Sequence, residues 1–115
     1  MDNDRYLVWT RLAAWCGILA IAVLSLLPAD KLERTSIGGH AEHVVAYAAT
    51  SIFVALAYPA SRLAWILAVL VIYAASLEYL QHFSPGRTSS VVDFAFSGFG
   101  IGVGLMVSMA LRRIM

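Results

Sequence analysis

The stretch Glu78 to Phe94, EYLQHFSPGRTSSVVDF, gathers Glu78, Gln81, His82, Arg87 and Asp93 between two long apolar runs. Three chemistries suit these residue types. A desolvated carboxyl beside an imidazole forms an acid–base pair able to exchange protons near neutrality. Imidazole nitrogen and carboxylate oxygen are also zinc ligands, and His40, Glu42, His43, Glu78, His82 and Asp93 offer both. Their order is not H-E-x-x-H and their spacing fixes no ligand set, so no metal or other cofactor is assigned. The third is anion binding: a guanidinium at Arg87, ahead of a helix that begins near Val91, presents a fork of donors beside unpaired backbone N–H groups. Asp93 opposes that field.

Composition says what kind of solvent surrounds these groups. Of 115 residues 61% are hydrophobic and 13% charged, with a mean hydropathy of +0.79, far from the roughly one-quarter charged content of soluble domains. One domain, residues 1–115, in a lipid bilayer is expected. An ionisable side chain in hydrocarbon costs a few kcal/mol or more, so a cluster of them at the mouth of a span marks a functional site. The formal net charge of +1 and the lack of a basic patch interleaved with aromatics exclude nucleic acid as a partner. Cys16, the only cysteine, falls in an apolar run and can form no internal disulfide.

The elements that must position the cluster are helices. Apolar runs with Pro or Gly punctuation predict four spans at about 8–28, 43–59, 63–83 and 91–111, an all-α membrane protein built as an antiparallel four-helix transmembrane bundle. Pro28 stops the first, Pro59-Ala60-Ser61-Arg62 turns the second into the third, and Ser84-Pro85-Gly86-Arg87 turns the third into the fourth. A cleaved signal peptide is the other reading of the first run, but Leu27 and Ala29 make no small-x-small site. Ser90 and Asp93 form a capping box for the last helix. Arg5, Arg11, Arg62, Arg112 and Arg113 fall on one side of such a bundle against Lys31, Arg34 and Arg87 on the other, which places both termini in the cytoplasm. Trp9, Tyr58 and Trp65 then form the aromatic belt of that side.

Up-and-down connectivity brings the start of span two, the end of span three and the start of span four to the extracytoplasmic mouth. His43 and Tyr47, spaced i, i+4, share a helix face, as do Glu78, Gln81 and His82. Glu78, His43 and Asp93 are the candidate catalytic groups, and Arg87, Gln81, Tyr47 and His82 the candidate substrate-binding ones. Span four carries Gly98/Gly102 and Gly100/Gly104/Ser108 at i, i+4, a small-residue face that admits close helix approach, within the chain, by self-association or by another membrane protein. These glycines follow no strand, so they are no dinucleotide fingerprint.

Glu78-Tyr79-Leu80-Gln81, then Pro85-Gly86-Arg87, Asp93, Gly100 and Gly104 resemble the VanZ-like family of small bacterial membrane proteins, whose pattern reads E-x-x-Q, P-G-R, D, N, G-x-x-x-G. His43 and Tyr47 resemble its H-x-x-x-Y, and Ser25-Leu26-Leu27-Pro28 its S-x-x-P. Ser97 stands where the family usually has Asn, a shorter hydrogen-bonder, and Gly39-His40 where it often has Asp-Lys. The family is named for a member associated with resistance to the glycopeptide teicoplanin. The resemblance implies a multi-pass protein of the bacterial inner membrane acting at the cell envelope, with Glu78, Gln81, Arg87, Asp93, His43 and Tyr47 as its functional positions. Together with the cluster it leads to a polar pocket that binds or acts on an envelope component such as an anionic lipid or lipid-linked headgroup. Two other functions fit less well. A structural or regulatory membrane partner would work through the small-residue face of span four, and a proton-linked solute path would need polar groups through the cytoplasmic halves of the spans, which offer only Ser and Tyr hydroxyls.

Overall fold

The computed structural model describes residues 3–26, 39–83 and 91–114, with the backbone alone at 3, 39–41 and 82. These residues are helical: α1 (Asn3–Leu26), α2 (Gly39–Ala57), α3 (Leu63–Leu80) and α4 (Val91–Ile114), with 3-10 turns at Ala60–Arg62 and Gln81–Phe83. Three of the helices, over Asp4–Leu26, Ala60–Leu80 and Val91–Ile114, are long and apolar enough to cross a membrane. The apolar part of α2, Glu42–Ala57, is shorter.

Local chemistry explains where these helices stop. α2 ends at Ala57 because Pro59 disfavours helical backbone at Tyr58. Pro59 itself is extended at φ −60°, ψ 147°, and the Arg62 N–H donates to its carbonyl at 2.9 Å, closing the turn into α3. α4 carries Asp93 in its first turn and Arg112 and Arg113 in its last, each charge complementing the helix dipole at its own end. The helices run past the apolar spans that the sequence marks at about 8, 43 and 111: α1 begins at Asn3, α2 at Gly39, and α4 continues to Ile114. Polar residues end the apolar stretch without ending the helix.

The packing is inverted relative to a water-soluble bundle. Val8, Trp9, Leu12, Trp15 and Leu19 on α1, Trp65, Val69 and Ile72 on α3, and Phe99 and Met106 on α4 are exposed. The interior mixes large apolar side chains, Ile66, Leu70, Leu77, Ile101 and Leu105, with small and hydroxyl residues such as Ala14, Ala55, Gly100, Gly104, Ser51, Ser97 and Ser108. In water such a surface would be one continuous apolar patch, whereas lipid chains solvate it. Three buried hydroxyls bond within their own helix: Thr10 donates to the Tyr6 carbonyl (2.9 Å), Ser97 to that of Asp93 (3.1 Å) and Ser108 to that of Leu105 (2.7 Å), whereas the Ser51 hydroxyl is buried without a partner among the described residues.

The most extensive interface joins α2 and α4. A Cβ built on Gly100 would stand 2.6 Å from the Val44 carbonyl oxygen, and one on Gly104 2.5 Å from that of Ala48. The helices thus touch backbone to backbone along Gly100 and Gly104. At Gly98 and Gly102 a Cβ would meet nothing within 4 Å. Two polar side chains tie α3 to α1. The Tyr73 hydroxyl donates to the Ile18 carbonyl, and the Gln81 amide donates to that of Ser25 at 3.0 Å. Ser25 lies in the last turn of α1, whose carbonyls have no partner within the helix, so Gln81 caps α1 from a neighbouring helix.

Candidate functional site

One polar cluster is built where α2 and α4 begin, and it is organised by a single hydroxyl. Ser97, 2% exposed, sits one turn into α4 and donates to the Asp93 carbonyl at 3.1 Å. His43 Nδ1, one turn into α2, lies 3.2 Å from the same oxygen. Tyr47, one turn further along α2 on the same face, is buried beside Ser97, with Glu78 and Tyr73 near enough to act on it electrostatically. Its ring stands 6.4 Å from that of His43 and 6.5 Å, edge-on, from that of Tyr73.

The proton count orients this network. A serine hydroxyl has one hydrogen and two acceptor positions. Because Ser97 gives its proton to the Asp93 carbonyl, the contact with His43 requires Nδ1–H as donor. A neutral His43 then carries its lone pair on Nε2, the atom a proton acceptor would use. Replacing Ser97 with Ala removes the acceptor that His43 Nδ1–H uses and the hydroxyl that bonds the Asp93 carbonyl. We expect Ser97→Ala to lose about 1–3 kcal/mol of stability, read as a lowered unfolding midpoint in detergent.

Glu78 is half-buried near the end of α3 and does not stand alone: it takes part in an interaction of its own, as do His43, Asp93 and Glu42. Asp93 is half-buried in the first turn of α4. The structure therefore brings His43 and Tyr47 to Ser97 and holds Glu78 within electrostatic reach of Tyr47. Gln81 is buried, 2% exposed, with its amide engaged by α1, a structural tie that the spacing alone did not reveal. The side chains of His40 and His82, together with Arg87 and the Ser90 cap, lie outside the described residues. Among the described residues, no three His, Cys, Asp or Glu side chains group as metal ligands.

Tyr73 and Ser97 are the members that sequence reasoning did not assign. Tyr73 gives no signal in sequence, because its partner is a main-chain carbonyl. Ser97 was marked as the shorter residue at the family's Asn position, and its hydroxyl proves long enough to reach His43 across the α2–α4 contact.

Comparison with protein-family models, with curated proteins and with solved structures finds no match for this chain.

Proposed function

We propose that this chain is a VanZ-like inner-membrane protein of bacteria, an antiparallel four-helix bundle crossing the bilayer four times with both termini cytoplasmic. A polar pocket at its extracytoplasmic mouth binds or acts on an envelope component, an anionic lipid or a lipid-linked headgroup. The observation that carries the reading is the His43–Ser97–Tyr47 cluster beside Glu78, the one place among the described residues where imidazole, phenol, hydroxyl and carboxyl groups gather inside an otherwise apolar bundle.

Depth favours a pocket at the rim. Taken whole, Gly39–Ala57 covers about 28 Å at 1.5 Å per residue, near the roughly 30 Å of a hydrocarbon core. His43 then sits about 6 Å from its outer end, recessed yet within reach of a headgroup. Glu78 is the ionisable centre, His43 Nε2 the proton acceptor and Tyr47 an orienting donor; Arg87 as the cation for an anionic ligand, and His82, are assigned from the sequence, and Asp93 stands in the first turn of α4.

Glu78→Gln keeps the size and hydrogen-bonding capacity of the side chain and removes its charge. Introduced into a deletion strain, it is expected to reach the membrane at the wild-type level and to leave the envelope phenotype of the deletion uncorrected. Full correction by Glu78→Gln would remove Glu78 from the site.

The alternative, a structural or regulatory membrane partner acting through the small-residue face of span four, has less to draw on. Gly100 and Gly104 are covered by α2 and Ser108 is buried, which leaves the open side at Gly98 and Gly102. On that reading Gly98→Leu abolishes function and Glu78→Gln preserves it.

A further inference from the structure

The far end of α2 holds a second polar arrangement, and the pocket proposed above does not use it. His43 and Ala57 stand about 21 Å apart along the helix. At the Ala57 end, Arg11 Nε donates to the Ala57 carbonyl at 3.2 Å, and the guanidinium lies over the Tyr58 ring, 5.0 Å from its centroid. One Nη of Arg112 donates to the carbonyls of Ala55 and Tyr58. Two cations thus converge on one helix C-terminus, whose dipole amounts to only about half an elementary charge. Neither guanidinium meets a carboxylate among the described residues. Arg112 Nε is buried there without a hydrogen-bond partner. A guanidinium has five N–H donors, so most of this donor capacity is not used by α2.

These arginines line a cleft of about 430 Å³ with Tyr6, Leu7, Leu56 and Tyr58. An apolar groove of about 480 Å³ adjoins it, shares Tyr58 and Pro59, and continues along Trp15, Ile18, Trp65, Ile66 and Val69 with Arg62 on its lining. Trp15 Nε1 donates to the Tyr58 hydroxyl at 3.3 Å, which fixes the tyrosine between the two spaces.

We propose that this cleft and groove hold one anionic glycerophospholipid, its phosphate against Arg11 and Arg112 and an acyl chain along the groove between α1 and α3. Excess positive charge selects an anion, and a guanidinium fork matches phosphate oxygens. The contiguous apolar groove selects an anion that carries a hydrocarbon tail over a free one. Bound there, the lipid clamps the ends of α1, α2 and α4 by neutralising the two arginines that join them.

Trp15 and Trp65 on the groove wall report occupancy. The full chain is reconstituted in vesicles of zwitterionic phosphatidylcholine containing a minor fraction of brominated phosphatidylglycerol or brominated phosphatidylcholine, and tryptophan quenching is measured. The anionic lipid is expected to be favoured about thirtyfold, as two interfacial arginines would give. The double variant Arg11→Gln/Arg112→Gln brings the preference close to one, while Arg113→Gln, adjacent to Arg112 but off the cleft lining, leaves it unchanged. Inorganic phosphate at millimolar concentration does not relieve the quenching. Equal quenching of the wild-type protein by the two lipids overturns the proposal, and this arm decides even where the double variant does not fold. Equal loss of preference in Arg113→Gln overturns it too, by showing diffuse attraction to a basic surface. Relief by inorganic phosphate reassigns the cleft to a soluble anion and overturns it as well.

Discussion

Gly104→Val is expected to unfold the protein or to lower its unfolding midpoint in detergent steeply, while Gly102→Val, half a turn away, leaves it near wild type. A Cβ at position 104 would lie 2.5 Å from the Ala48 carbonyl oxygen, 2.7 Å from Ser51 Cβ and 3.1 Å from Ala48 Cα. The first and last belong to helical backbone, which cannot rotate aside, so α2 and α4 would have to separate along their whole contact. Overpacking of a well-filled interior typically costs about 1–3 kcal/mol and occasionally more, and a clash with two backbone atoms belongs at the upper end. Gly102 faces open space. Gly102→Ala should even gain a little, because Gly in a helix interior costs about 1 kcal/mol relative to Ala. Opposite signs for two glycines two residues apart would show that the small-residue face is consumed within the chain. A symmetric effect would mean that α4 does not meet α2 along Gly100 and Gly104.

That contact also governs the site. His43 reaches Ser97 only because α2 and α4 approach at Gly100, one turn below, where a Cβ would press on Val44. The glycines therefore have a positioning role for the polar cluster, and Gly100→Leu cannot separate a helix-docking function from the pocket, since it removes both.

Much of this was legible in the sequence because hydrocarbon is an unforgiving solvent. Long apolar runs and three prolines mark the helices, and an acid or an imidazole in such a chain announces itself. The extents were less legible: hydropathy locates the edge of the apolar zone, whereas hydrogen bonding continues α1 back to Asn3 and α4 on to Ile114. The amide of Gln81 caps α1, a tie the sequence does not mark because a helix's orphaned carbonyls leave no trace in residue type. Arg11 reads in the sequence as one of the charges of the cytoplasmic side, and its Nε donates to the Ala57 carbonyl of α2. For the same reason Arg112 reads as a simple chain-end charge until Ala55 and Tyr58 are seen beneath it.

The orientation of the polar cluster is open to an all-or-none experiment. Cys16, exposed on the apolar surface, is first replaced by Ser to leave a cysteine-free chain. His43→Cys then places one thiol about four residues into α2, at the recessed rim of the pocket. In intact cells a membrane-impermeant, negatively charged maleimide should label this thiol as fully as it does after permeabilisation, whereas a cysteine at Ser61, in the Pro59 turn, should react only once the membrane is opened. A His43→Cys thiol that stays silent until permeabilisation, or a Ser61→Cys thiol that reacts from outside, would contradict a water-reached pocket on the outer face.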